Sequence, residues 1–156
     1  MPRFSDMLDR KGEEIKQPPL LPMGRYLVLG KKHPEVEEHR SQKQTLFDRI
    51  RFEMVVQAPV EVDEDALAEF GKVQGQSLRR DFYYTTEPDE DRSRQITEAQ
   101  IKAFLQAFGC WPDESMTMQE AFANFPNSQA AIDVAHRPDP TDPERFYLEI
   151  GKAYEV

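Results

Sequence analysis

Between residues 46 and 57, apolar and polar positions alternate. Leu46, Ile50, Phe52, Met54 and Val56 share one parity, interrupted only by Asp48, and Arg49, Arg51 and Glu53 take the other. A period of two predicts a strand with one buried and one wet face, as in an antiparallel sheet. Arg25-Tyr26-Leu27-Val28-Leu29 predicts an earlier strand. Residues 78–86, rich in aromatic and β-branched types, predict a later one. Residues 31–45 are polar and predict a long loop or a ragged hairpin. At the end of the chain a hairpin is expected. Ile132 and Val134 face inward on its first strand, residues 138–143 make a rigid Pro-rich turn, and Phe146, Leu148 and Ile150 face inward on its second strand.

Helical signals fall between these strands. Asp63 is placed to cap a short helix over residues 63–70, with Glu64 and Asp65 at its positive end, Val62 stapling onto Leu67, and Gly71 closing it. Glu87-Pro88-Asp89-Glu90-Asp91 reads as a solvated turn. Thr97-x-x-Gln100 reads as a capping box ahead of Ile101, Phe104, Leu105 and Phe108, with Gly109 as terminator. Thr117-x-x-Glu120 reads as a second box ahead of Met118, Ala121, Phe122 and Phe125, with Pro126 as terminator. At the N-terminus Ser5 is placed to cap a short amphipathic helix bearing Phe4, Met7 and Leu8, ended by Gln17-Pro18-Pro19. The expected organisation is a helical arm and Pro linker over 1–19 and a single domain over 20–156. The fold class is α+β: a small five-stranded antiparallel OB-like barrel with inserted helices.

Composition narrows the chemistry. With 38% hydrophobic and 31% charged residues, a folded domain is expected. The net charge of −9 disfavours wholesale adhesion to nucleic acid or to anionic membranes, so any nucleic-acid reading needs a local basic face. Residues 24–51 are net positive, whereas 61–73 and 87–98 are net negative. Cys110 is the single cysteine, so no internal disulfide forms, which fits a cytoplasmic location. The N-terminus has no signal-peptide pattern, and no apolar run approaches the roughly 20 residues of a membrane span. His33, His39 and His136 match no metal-ligand spacing. Neither a nucleophile–histidine pairing nor a Gly-rich phosphate loop stands out, so no enzyme, metal or cofactor is expected.

Basic residues interleaved with aromatics are the strongest binding signal. Strand parity puts Phe47, Arg49, Arg51, Arg79, Tyr83, Arg137, Arg145 and Tyr147 opposite the core set. Arg25, Lys31, Lys32 and Lys43 lie in the net-positive stretch. Flat rings stack unpaired bases, and Arg or Lys neutralise phosphates. The expected nucleic-acid-binding set is therefore Arg25, Lys31, Lys32, Lys43, Phe47, Arg49, Arg51, Arg79, Tyr83 and Tyr147. An ordinary solvated sheet face, with arginines opposite carboxylates, is the competing reading.

The motifs resemble a group of small phage-encoded proteins, some regarded as single-stranded-DNA-binding OB-fold proteins. The resemblance rests on Phe4-Ser5-Asp6-Met7-Leu8-Asp9, on Leu21-Pro22-Met23-Gly24-Arg25-Tyr26, on the Asp63-Glu64-Asp65-x-Leu67-x-x-Phe70-Gly71 helix, on Arg79-Arg80-Asp81-Phe82-Tyr83-Tyr84-Thr85-Thr86-Glu87, and on a helix ending Phe108-Gly109. It implies an OB-like barrel and a non-catalytic role in phage DNA replication or recombination, with single-stranded DNA as partner and possible homo-oligomerisation. One departure is the end of the chain, Ile150-Gly151-Lys152-Ala153-Tyr154-Glu155-Val156, which lacks the flexible acidic tail such binders often carry. Two alternatives stay open. One is an acidic module that binds a host or defence protein through the 61–69 and 87–91 runs; the other is a virion or assembly protein.

Overall fold

In the computed structural model, residues 8–12 and 18–156 are described. Most of the expected N-terminal helix, including Phe4, Ser5 and Met7, lies outside them. Six strands and three helices follow: β1 (Gly24–Gly30), β2 (Glu35–Arg40), β3 (Leu46–Val62), α1 (Glu64–Phe70), β4 (Ser77–Thr85), α2 (Asp91–Ala107), α3 (Met118–Ala123), β5 (Gln129–Asp139) and β6 (Asp142–Tyr154). The fold is α+β and dominated by one antiparallel sheet, ordered β2-β3-β1-β5-β6 with β4 also on β3. Among the described residues this sheet is not closed into a barrel by hydrogen bonds. It also has six strands where five were expected.

The extra strand is β2. Met54 pairs with Gly30 on one side and Leu78 on the other, and Arg51 pairs with Glu35 and Asp81. So β1 and β2 run consecutively along one edge of β3, and β4 lies along the other. The 31–45 segment is a hairpin, its tip turned by Gln44 at φ 65° and by Thr45 C=O accepting from Ser41 N–H at 2.9 Å. Every residue of β2 is exposed, so no alternation marked it in the sequence. Gly30 sits where β1 gives way to the loop before β2. A Cβ there would meet the Phe125 carbonyl oxygen at 2.1 Å, and Gly30 N–H donates to Ser128 C=O at 2.8 Å. Only glycine admits so close a backbone approach.

Inward parity of β3 holds from Ile50 to Val56. Phe52, Met54 and Val56 are fully buried. Phe52 is the hub of an aromatic cluster, with ring centroids 5.0 Å from Phe104 and Phe125, 5.5 Å from Phe122 and 5.7 Å from Phe82. This is the edge-and-tilt geometry that ring quadrupoles favour. Ile132 and Val134 are buried on β5, while Leu148 and Ile150 of β6 pack against the core. Phe146, expected inward, is 42% exposed because the β5–β6 hairpin projects beyond the core there.

The helix boundaries follow their caps, with one correction. Asp63 accepts from Ala66 N–H at 3.0 Å, and Thr117 accepts from Glu120 N–H at 3.2 Å, as capping residues do. Thr97 caps nothing. α2 begins two turns earlier, at Asp91, and Thr97 is buried inside it. Its hydroxyl donates to Ser93 C=O at 3.1 Å and to Tyr83 C=O of β4 at 3.3 Å. A threonine whose hydroxyl satisfies the preceding helical turn is compatible with a helix interior. It also ties α2 onto the sheet. No helix among the described residues is long and apolar enough to cross a membrane.

Candidate nucleic-acid interface

The face opposite the core is built row by row from β2, β3 and β4. Registers place His39, Phe47 and Thr85 in one row, Glu37, Arg49 and Tyr83 in the next, Glu35, Arg51 and Asp81 in the third, and Glu53 beside Arg79 in the fourth. Side chains directly opposite on adjacent strands lie close enough to interact, so each row decides how its charges are spent.

Several of the expected phosphate ligands are matched by carboxylates. Arg51 donates to both oxygens of Asp81, at 2.8 and 3.0 Å, and both side chains are mostly covered, with 17% and 15% exposed. Arg49 Nη2 lies 2.5 Å from Glu37. Lys32 bridges Glu35 at 2.6 Å and Glu53 at 2.8 Å. Arg25, on β1, holds Asp133 of β5 at 2.9 Å and stacks over Tyr154 at 3.8 Å, away from the β3–β4 face. Titration shifts record the pairing. Burial raises the Asp81 carboxyl, but the Arg51 guanidinium more than offsets it, leaving Asp81 below the usual carboxylate range. Hydrogen bonding to Lys32 likewise lowers Glu53. Lys31 follows Gly30 in the β1–β2 connection and Lys43 sits in the hairpin turn, both exposed. The expected residues therefore do not make one continuous basic face.

A smaller group does converge. β4 and β6 approach each other without pairing, and between them runs a groove of about 910 Å³. Arg79 and Tyr83 border it from β4; Arg145 and Tyr147 border it from β6. Tyr83 is 55% exposed and Tyr147 44%, so both rings are available from solvent. Among the described residues neither Arg79 nor Arg145 forms an ion pair. Phe47 and His39 extend the Tyr83 end as an edge-to-face chain, with centroids 5.3 Å and 5.2 Å apart. Carboxylates are present too: Glu53, Asp81 and Glu149 also line the groove, and Glu149 is held by Arg137 at 2.7 Å.

No protein-family model matches the sequence, and no curated protein matches it.

Arg80 was missed by sequence reasoning. It stands at core parity between buried Leu78 and Phe82, and also lines the groove. Its guanidinium lies 4.3 Å over the Phe82 ring and donates to Asp81 C=O at 2.9 Å, yet it makes no ion pair among the described residues. Burial depresses its basicity. A half-buried guanidinium without a counter-ion at the floor of an open seam can accept an anion. The available signal was an arginine at a core position of an otherwise apolar alternation.

Proposed function

We propose that this chain is a non-catalytic single-stranded-DNA-binding protein of OB-like type, acting in phage DNA replication or recombination. The β4–β6 groove is its binding site. The observation that carries the reading is the juxtaposition of two exposed tyrosine rings, Tyr83 and Tyr147, with Arg79, Arg80 and Arg145, none of which is ion-paired among the described residues. Rings stack bases without regard to sequence, and the arginines neutralise phosphates. The OB-like part of the reading is supported by the strand order. The β1/β2–β3 hairpin lies beside β4, α2 follows β4, β5 returns to β1, and β6 swings round towards β4. The carboxylates holding Arg49 and Arg51, with the net charge of −9, favour a second reading as an acidic module that binds a basic protein.

Titration of fluorescein-labelled oligo-dT, read by fluorescence anisotropy, separates the two. The proposal expects micromolar or tighter, salt-sensitive binding, weakened in Tyr83→Ala and in Tyr147→Ala by about 1–3 kcal/mol per lost stack. A flat trace to tens of micromolar protein at low salt, by contrast, rejects the DNA reading and leaves the protein-binding one.

A further inference from the structure

One row of the sheet breaks the charge pairing seen elsewhere. Registers place Glu38 of β2 directly opposite Asp48 of β3, and Asp48 opposite Tyr84 of β4. Tyr84 Oη in turn donates to Glu98 of α2 at 3.0 Å. Among the described residues none of these three carboxylates forms an ion pair. Like charges directly opposite on neighbouring strands destabilise a sheet. On the other face of the same strands Glu35, Glu37 and Asp81 each hold a cation, so the Glu38–Asp48 row stands apart. The nearest cations are engaged elsewhere: Lys102 is held by Glu114 at 2.7 Å, and Arg40 is turned to Gln44 at the hairpin tip. Nor are the described carboxylates gathered into a group able to hold a metal ion.

This row crosses an apolar groove of about 740 Å³ on the inward-parity side of the sheet. Asp48, Tyr84 and Glu98 line it, and Val36, Ile50, Trp111, Met118 and Phe122 give it an apolar and aromatic surface. Val36 is 58% exposed, so the apolar surface opens to solvent. Apolar patches of this kind mark places where something docks.

The charges restrict the occupant. Strands lie about 4.8 Å apart, so Glu38, Asp48 and Tyr84 alone span about 10 Å, and Glu98 stands a phenol further on. A single ammonium group cannot reach all three carboxylates. Their complement is an element carrying several cations around an apolar stripe, which is the pattern of a basic amphipathic helix. We propose that this groove receives such a helix from a partner protein. Its apolar stripe covers Val36, Ile50, Trp111, Met118 and Phe122, and its Lys or Arg side chains meet Glu38, Asp48 and Glu98. This does not depend on the nucleic-acid reading, because the two grooves share no lining residue.

Three synthetic peptides of about 15 residues, all without tryptophan, test it on the full-length chain. The first carries Leu at i, i+3, i+4 and i+7 flanked by Lys; the second has the same composition permuted to destroy the stripe; the third has Glu for every Lys. Trp111, the only tryptophan, lines the groove and reports occupancy by an emission shift to shorter wavelength. The first peptide is expected to give that shift with a Kd at or below about 100 µM, and the other two to bind at least about tenfold more weakly. Asp48→Asn/Glu98→Gln should weaken the first peptide at least about tenfold, yet its thermal midpoint should not fall, because opposed like charges are removed. Ala99→Arg, at an exposed groove position, should abolish the shift with the fold retained by circular dichroism. No shift with the first peptide overturns the proposal. So does equal binding of the permuted peptide, which is the signature of attraction to net charge alone. A double variant that binds like the wild type, or whose midpoint falls, overturns it as well, since those carboxylates then serve the fold. A Trp111 shift that grows with protein concentration in the absence of peptide assigns the groove to a second copy instead.

Discussion

Ion pairing divides the arginines of the β3–β4 face and of the neighbouring β6 edge into two groups that must behave differently towards DNA. Arg79 and Arg145 border the groove without an ion pair among the described residues, whereas Arg51 is locked on both oxygens of Asp81. For single strands each phosphate neutralised contributes about 0.7 to the slope of log affinity against log salt. Arg79→Gln and Arg145→Gln should each flatten that slope by about 0.7, and together by about 1.4, in oligo-dT anisotropy titrations across a range of salt. Arg51→Gln/Asp81→Asn removes one charge of each sign, so the slope should stay at the wild-type value. Stability reverses the ranking. Arg51→Gln alone strands a carboxylate that is only 15% exposed, which should cost about 1–3 kcal/mol in urea unfolding. The double variant should regain most of that, because both stranded charges are gone. Arg79→Gln should be near neutral, because its side chain is exposed and forms no ion pair among the described residues. The reasoning is refuted if the Arg51/Asp81 double variant loses as much salt slope as Arg79→Gln. It is also refuted if Arg79 and Arg145 can both be removed with the slope unchanged while binding persists.

Two further outcomes test the fold and its electrostatics. Phe52→Ala removes the hub of the aromatic cluster and should cost about 3–5 kcal/mol in urea unfolding followed by circular dichroism; a loss below about 1.5 kcal/mol would mean the cluster is not the centre of the core. Burial raises Asp133, but hydrogen bonds from Arg25 at 2.9 Å and Tyr154 at 2.8 Å more than offset this and leave its carboxyl below the ordinary value. A carboxyl with a depressed folded pKa adds stability that is complete above its unfolded pKa of about 3.9 and is lost as pH falls through the lower folded value. Unfolding midpoints measured below about pH 4 should therefore fall less steeply for Asp133→Asn than for the wild type, and equal slopes would show that the pair carries no linkage.

How far the sequence could be read depended on whether a signal was local. Phe52, Met54 and Val56 announce a strand and its inner face because period-two burial is printed in adjacent residues. Asp63 and Thr117 announce helix starts because a cap acts within three residues. The reading of Thr97 as a cap failed because an identical spacing served another purpose: its hydroxyl bonds the preceding turn and the Tyr83 carbonyl, and the helix starts at Asp91. β2 was legible only as one of two options, loop or hairpin. Apart from Val36 it is polar on both faces, and it is a strand because β3 offers it an edge.

The candidate site divides along the same line. Alternation by itself determined that Arg49, Arg51, Tyr83 and Tyr147 leave the core, and composition determined that any basic surface on a chain of net charge −9 must be local. Tertiary structure decided which cations stay available. Side-chain parity assigns a residue to a face but not to a neighbour; the neighbour depends on register, set by turns and bulges far along the chain. The β2–β3–β4 register put Glu37 beside Arg49 and Asp81 beside Arg51, and the approach of β6 to β4 brought Arg145 and Tyr147 to Arg79, Arg80 and Tyr83. Charge is local to a residue, but its neutralisation is a property of pairs, and the pairs exist only once the sheet has formed.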